Sequence, residues 1–171
     1  TGVAFTRNPA TGDKDFFGEC LMNAQGEDVV AGIRTPLPVN ALAKNVPEAY
    51  KELERTYKKL EKHYKEVQDI EFTIQRNKVY MLQTRNAKRT GLAGVRWAVE
   101  MATGKDILTG RAINKGEKLI NAKQALNTVT GEDLEQLLFP IFNAKDEAKL
   151  DILTTGLPAG PGAAVGQIVF G

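Results

Sequence analysis

Asp69-Ile-Glu-Phe-Thr-Ile-Gln75, Arg76-Asn-Lys78 and Val79-Tyr-Met-Leu-Gln-Thr-Arg85 form the stretch whose reading decides the fold. Two alternating segments flank a short polar turn, the pattern of a β-hairpin. With Asn77 at the centre of a three-residue loop, position 75 pairs with 79, 73 with 81 and 71 with 83, and paired residues project to one side of the sheet. Glu71, Gln83 and Arg85 then share a face, while Ile70, Phe72, Ile74, Tyr80 and Leu82 fall on the other and pack against a core. Opposed residues on such a ladder have Cβ atoms about 5 Å apart, close enough for two oxygens to share one small hard cation. A carboxylate, a carboxamide and a guanidinium on one face therefore point to a magnesium-phosphate site. Glu71 and Gln83 would hold Mg²⁺, and Arg85 would clamp a phosphate through its fork of donors. The competing reading is an ordinary solvated face with an incidental ion pair.

Working outward, Gly2 to Phe5, Phe16 to Met22 and Val29 to Arg34 read as strands. Arg7-Asn-Pro-Ala-Thr-Gly12 and Asn23-Ala-Gln-Gly26 read as turns. From 46 to 67, Val46, Ala49, Tyr50, Leu53, Tyr57, Leu60, Tyr64 and Val67 recur at steps of three and four among Lys and Glu, which predicts an amphipathic helix with Asn45 as N-cap and Pro47 in its first turn. The tyrosine stripe reads as core packing. Leu92 to Ala102 and Leu119 to Val129 have helical periodicity, and Thr130-Gly-Glu-Asp133 resembles a capping signal for a short helix through Phe139. Gly156 to Gly166 reads as a linker into a new strand, since its glycines do not match the dinucleotide fingerprint.

Composition narrows the function classes. With 23 Lys+Arg against 21 Asp+Glu the net charge is +2, which supplies no general drive toward nucleic acid or an anionic membrane. No membrane-spanning or signal-like run is visible, so an intracellular, soluble protein of the cytoplasm or an organelle is expected. Cys20, the single cysteine, suits a reducing compartment and reads as an inert structural thiol. One histidine and one cysteine cannot build a Cys-His, Ser-His-Asp or zinc constellation. The chain starts at Thr1 without Met and ends at Gly171 in an expected strand, which suggests a piece of a longer protein.

The motifs Thr1-Gly-Val-Ala-Phe-Thr-Arg-Asn-Pro-Ala-Thr-Gly12, Ala24-Gln-Gly-Glu-Asp-Val-Val-Ala-Gly-Ile-Arg-Thr-Pro36, Glu71-Phe72, Tyr80-Met-Leu-Gln-Thr-Arg85 and Gly156-Leu-Pro-Ala-Gly-Pro-Gly-Ala-Ala-Val-Gly166 resemble, in this order, the pyruvate, phosphate dikinase family. The resemblance is dense over 1–90 and 150–170 and thin from about 104 to 130. It implies an α+β ATP-grasp-like half-domain, an antiparallel sheet with a long amphipathic helix, followed by a small helical subdomain. It also implies a division into 1–90 as the C-terminal part of the nucleotide domain, 91–150 as the helical subdomain, and 151–171 as a linker and the first strand of a phosphohistidine domain. The implied reaction interconverts ATP, phosphate and pyruvate with AMP, diphosphate and phosphoenolpyruvate through a phosphohistidine outside this chain. Mg²⁺ and ATP are the implied ligands, and the partners are the missing half of the nucleotide domain and the phosphohistidine domain of a homo-oligomeric parent. Glu27 is a candidate contact in the ATP cleft. Asp28 beside it faces the other way on an extended strand, so at most one of the two reaches the metal. Arg7 and Arg34 could contact phosphate, with surface ion pairs as the alternative. His63 is excluded as the phosphorylated group because Leu60-Glu-Lys-His-Tyr64 lies on a charged helix, whereas the family's histidine sits in a Thr-Ser-His motif.

Two other readings stay open: the ATP domain of a phosphoenolpyruvate synthase or glucan dikinase, and a non-catalytic interaction module of the same fold. The stretch 24–36 argues against the first, and the intact Glu71, Gln83 and Arg85 against the second. The free chain is expected to bind Mg·ATP poorly and to show no turnover.

Overall fold

A computed structural model describes residues 1–24, 34–113, 116, 118–138, 149–154 and 166–167. The strand expected at 29–34, Glu27, Asp28, Phe139 and the glycine-rich 156–165 lie outside the described residues, apart from Arg34. The architecture is α+β. Among the described residues, five antiparallel strands, β1 (Gly2–Phe5), β2 (Phe17–Cys20), β3 (Leu37–Pro38), β4 (Gln68–Gln75) and β5 (Lys78–Asn86), lie in the order β3-β2-β1-β4-β5. A 3₁₀ turn at Val39–Ala41 leads into a single helical turn, α1 (Leu42–Asn45), and then the long helix α2 (Pro47–Tyr64).

Helix α2 follows the apolar periodicity but starts differently from expectation. Its N-cap is Val46, with no side-chain cap, and Asn45 belongs to α1; Pro47 sits in the first turn, where its missing N–H costs nothing. Lys65 ends the helix in the left-handed region at φ 55°, donating its N–H to the Glu61 carbonyl. The stripe buries Ala49 and Leu53 completely and brings Tyr50, Tyr57 and Leu60 against Ala4, Phe16, Cys20, Ile70 and Phe72 of the sheet's inner face. Truncating Leu53 to Ala there should cost about 2–5 kcal/mol. Tyr64 departs from the expected core stripe and is 48% exposed. Gly2 is required by the same packing: a Cβ there would meet the Phe72 ring at 2.7 Å and the Glu19 carbonyl at 2.6 Å.

A second core forms where Val67 and Ala87 meet α3 (Gly91–Thr103) through Ala93, Trp97 and Met101, with Ile120 and the partly buried Phe5 added. Helix α3 is capped by Thr90, whose hydroxyl accepts from the Ala93 N–H at 3.2 Å, and ends at Gly104, where φ is 68°. The helices α4 (Ala122–Thr128) and α5 (Gly131–Leu138) pack on α3. Asn121 and Gln124 make a reciprocal capping box for α4, and Thr130 and Asp133 do the same for α5: the Asp133 N–H donates to Thr130 Oγ1 and the Thr130 N–H to Asp133 Oδ2. The Thr130 signal in the sequence is thus realised.

Candidate functional site on the hairpin

The hairpin reaches its expected pairing by a different route. The turn has two residues, Arg76 and Asn77, at φ 51° and 61°, so Gln75 pairs with Lys78, Ile74 with Val79 and Thr73 with Tyr80. Positive φ at both positions is the twist-matched hairpin geometry. The expected 75–79 and 73–81 pairs are therefore corrected by one residue. A β-bulge then restores the lost residue: Phe72 pairs with Met81 but Glu71 pairs with Gln83, leaving Leu82 extra on β5. Glu71 and Gln83 stand opposite one another as expected, and Asp69 stands opposite Arg85.

The apolar face changes accordingly. Val79 and Met81, not Tyr80 and Leu82, pack into the core with Ile70, Phe72 and Ile74. Tyr80 and Leu82 are 43% and 59% exposed, because the shorter turn rotates the first and the bulge expels the second. The outer face is wider than the hairpin alone. Val3 pairs with both Glu71 and Glu19, and Phe5 with both Asp69 and Phe17, so this face continues across β1 onto β2.

Arg85 is 62% exposed at the side chain and donates from Nε to Asp69 Oδ2 at 2.7 Å; the Asp69 side chain is only 12% exposed. That hydrogen bond and the Asp69 charge hold the guanidinium still more firmly protonated. Nη1 and Nη2 lie outside the bond. Sequence reasoning missed Asp69, although its signal was present: it is the odd-numbered acid two residues before Glu71, on the same face. Among the described residues no cluster of three or more His, Cys, Asp or Glu could hold a metal ion. What the hairpin offers instead is two hard oxygen donors, one carboxylate and one carboxamide, a set that suits Mg²⁺ when phosphate and water complete its shell.

The other candidates are placed elsewhere. Arg7 is neither a phosphate contact on this face nor a surface pair. It is 1% exposed, bonded through Nη2 and Nε to Glu61 at 2.8 and 3.1 Å and through Nη1 to Glu100 Oε2 at 2.9 Å. Arg96 extends this network to Glu100, Asp13 and Asp106. Lys14 reaches Glu61 Oε1 only at 3.9 Å, its Nζ has no hydrogen-bond partner, and burial, helped by Arg7, lowers its pKa to about 8. Arg34 donates to the carbonyls of Met22 and Asn23. His63 is exposed on α2 with its ring edge-on to Tyr64. Cys20 is buried, and desolvation raises its thiol pKa, as an inert structural thiol requires. A cavity of ≈ 160 Å³ lined by Cys20, Leu42, Phe72 and Asn77 among others includes residues of the inner, helix-covered face and not Glu71, Gln83 or Arg85.

The fold and the exposed acid-amide-arginine face carry a sequence that matches a known class of domain: residues 40–105 match the family described as pyruvate phosphate dikinase, AMP/ATP-binding domain. Over 170 residues, 99% of this chain, it is 51% identical to the pyruvate, phosphate dikinase, chloroplastic, of Flaveria trinervia, 52% identical to the pyruvate, phosphate dikinase 1, chloroplastic, of Oryza sativa subsp. japonica, and 51% identical to the pyruvate, phosphate dikinase 2 of Zea mays. The chain belongs to the pyruvate, phosphate dikinase family. It spans 16–18% of the length of these curated relatives.

Proposed function

We propose that this chain supplies the metal and phosphate wall of an Mg·ATP site in a dikinase of ATP-grasp type, which interconverts ATP, phosphate and pyruvate with AMP, diphosphate and phosphoenolpyruvate through a phosphohistidine outside residues 1–171. The observation that carries this reading is the direct opposition of Glu71 and Gln83 on an exposed sheet face, next to Arg85. Glu71 and Gln83 would hold Mg²⁺, whose bound charge would screen the phosphate oxygens. Arg85 binds a phosphate with the donors that Asp69 leaves free and neutralises charge that develops as the phosphoryl group moves. Glu27 is kept as a further contact on the nucleotide. On the same reading the chain divides at about residues 90 and 150 into the end of the nucleotide domain, a helical subdomain and a linker into the phosphohistidine domain. Its partners are the rest of a homo-oligomeric parent. Among the described residues no helix is long and apolar enough to cross a membrane, and a plastid-type compartment fits the relatives that are named chloroplastic.

The test uses the full-length protein that carries this chain. Glu71→Ala or Gln83→Ala should lower ATP-dependent phosphorylation of the histidine by at least about a hundredfold. Exchange between pyruvate and phosphoenolpyruvate should persist, because it is a chemically separate half-reaction. Equal loss of both would trace the defect to folding and overturn the assignment.

A further inference from the structure

Gln68 is 1% exposed and lies on the inner face of β4, among Ile70 and Phe72, where an apolar residue would be expected. Its amide is fully engaged. Nε2 donates to Asn86 Oδ1 at 2.9 Å, and Oε1 accepts from Thr84 Oγ1 at 3.0 Å. Thr84 and Asn86 are the residues immediately before and after Arg85. The Gln68 backbone N–H donates to Thr6 Oγ1 at 3.1 Å, and the Thr6 hydroxyl donates to Glu61 Oε2 at 3.1 Å, so Gln68 is itself anchored to the buried Arg7 network.

The bulge explains why such an anchor is needed. Leu82 is an extra residue on β5, so the turn at 76–77 no longer dictates where residues 83–86 sit against β4. Among the described residues β5 is also the sheet edge, with β4 as its single strand neighbour. An apolar side chain at 68 would pack equally well if β5 slipped by one residue. A buried amide would not, because a slip strips Oε1 of its Thr84 donor and takes from Nε2 its shortest bond, to Asn86, leaving it the 3.3 Å contacts with the Glu66 and Val67 carbonyls. We propose that Gln68 is a positioning residue, which sets the register of β5 beyond the bulge and so aims the Arg85 guanidinium at a nucleotide phosphate. Asp69, the next residue, grips Arg85 from the opposite face of the same strand. This inference rests on the reading of Arg85 as a phosphate ligand.

The experiment measures ATP-dependent histidine phosphorylation in the full-length protein for Gln68→Leu and Thr84→Val, each alone and combined with Arg85→Ala. Alone, Gln68→Leu should raise KM for ATP about tenfold and Thr84→Val about threefold, with pyruvate exchange unchanged, since small misplacements of a ligating group carry losses of up to about a hundredfold. In the Arg85→Ala background neither should cause a further loss, the non-additivity expected of groups acting as a unit. A merely structural glutamine would lower kcat with the amount of folded protein and leave KM alone. Losses that multiply with Arg85→Ala, or an unchanged KM, would overturn the positioning role while leaving the site intact. An Arg85→Ala protein with normal ATP kinetics would instead overturn the phosphate reading itself. If Gln68→Leu does not fold, Thr84→Val decides alone, because it exchanges a hydroxyl for a methyl of the same shape.

Discussion

Arg7 and Arg85 are both arginines bonded to carboxylates, and almost nothing else about them is alike. Arg7 is 1% exposed, uses Nε and both terminal amino groups on Glu61 and Glu100, and joins the loop after β1 to α2 and α3. Arg85 is 62% exposed, bonds the Asp69 carboxylate through Nε, and stands on the edge strand of the described sheet. A guanidinium bonded through all three of its nitrogens out of water is committed to the fold, since any ligand would have to replace bonds made in a low dielectric. A guanidinium held by one edge keeps its orientation and still has donors for an exchangeable anion. On the proposed function it is the exposed arginine, and not the buried one, that is available to a nucleotide phosphate.

The comparison breaks first at Arg7. Replacing it with Met keeps the stem and removes the charge, leaving Glu61, at 5% side-chain exposure, without its principal partner and Glu100, at 0%, with Arg96 as its remaining ion-pair partner. Removal of one partner from a buried pair costs about 3–5 kcal/mol. Urea unfolding of Arg7→Met should show a loss of that order, and a loss below about 1 kcal/mol would mean that the network is not what fastens α3 to the sheet.

Lys14 sharpens the same contrast from inside the network, with a smaller effect of opposite sign. Its pKa falls from 10.5 to about 8, chiefly through burial. Below pH 8 both folded and unfolded chains carry the proton, and folding bears the whole penalty of the buried ammonium. Between pH 8 and 10.5 the unfolded chain holds the proton that the folded one has released, so stability rises with pH across that window and the penalty is gone above it. Lys14→Met should raise the unfolding midpoint at pH 7 and flatten that rise. The gain stays below the full value of the shift because the side chain is 24% exposed and partly screened. Thermal scans at pH 7 and pH 10 check it, and a lower midpoint at pH 7 would show that the 3.9 Å contact with Glu61 outweighs desolvation.

What the sequence made legible follows from this division. The outer face of the hairpin could be read because alternation alone puts Glu71, Gln83 and Arg85 together, and that parity survived a turn one residue shorter than expected because the Leu82 bulge returned the residue. Neither deviation leaves a compositional mark: Arg76 is an unusual residue for positive φ, and Met81-Leu82-Gln83 contains no glycine to announce a bulge. The buried network was less legible. Glu61 falls four residues after Tyr57, on the apolar stripe of α2, and Arg96 and Glu100 are spaced by four on α3, but their common partner Arg7 is more than fifty residues from Glu61 and ninety from Glu100. Local periodicity says nothing about pairing over such distances, so Arg7 read as a surface residue when it is a strut.

The smallest effect is a null on stability, and it tests the exposed half of the comparison. Asp69→Asn removes the charge that faces Arg85 and keeps the shape of the side chain and its place opposite Arg85 in the ladder. Because the guanidinium is 62% exposed and free to find water, the pair contributes little to folding even though Asp69 itself is largely covered. The unfolding midpoint of Asp69→Asn should match that of the unsubstituted protein within error at both low and high ionic strength. Binding should respond where folding does not: with its carboxylate partner neutralised, Arg85 loses the charge-assisted bond that orients it, and affinity for ATP in the full-length protein should fall. A midpoint lowered as far as that of Arg7→Met would show that Arg85 belongs to the scaffold, and the distinction between the committed and the exchangeable arginine would be lost.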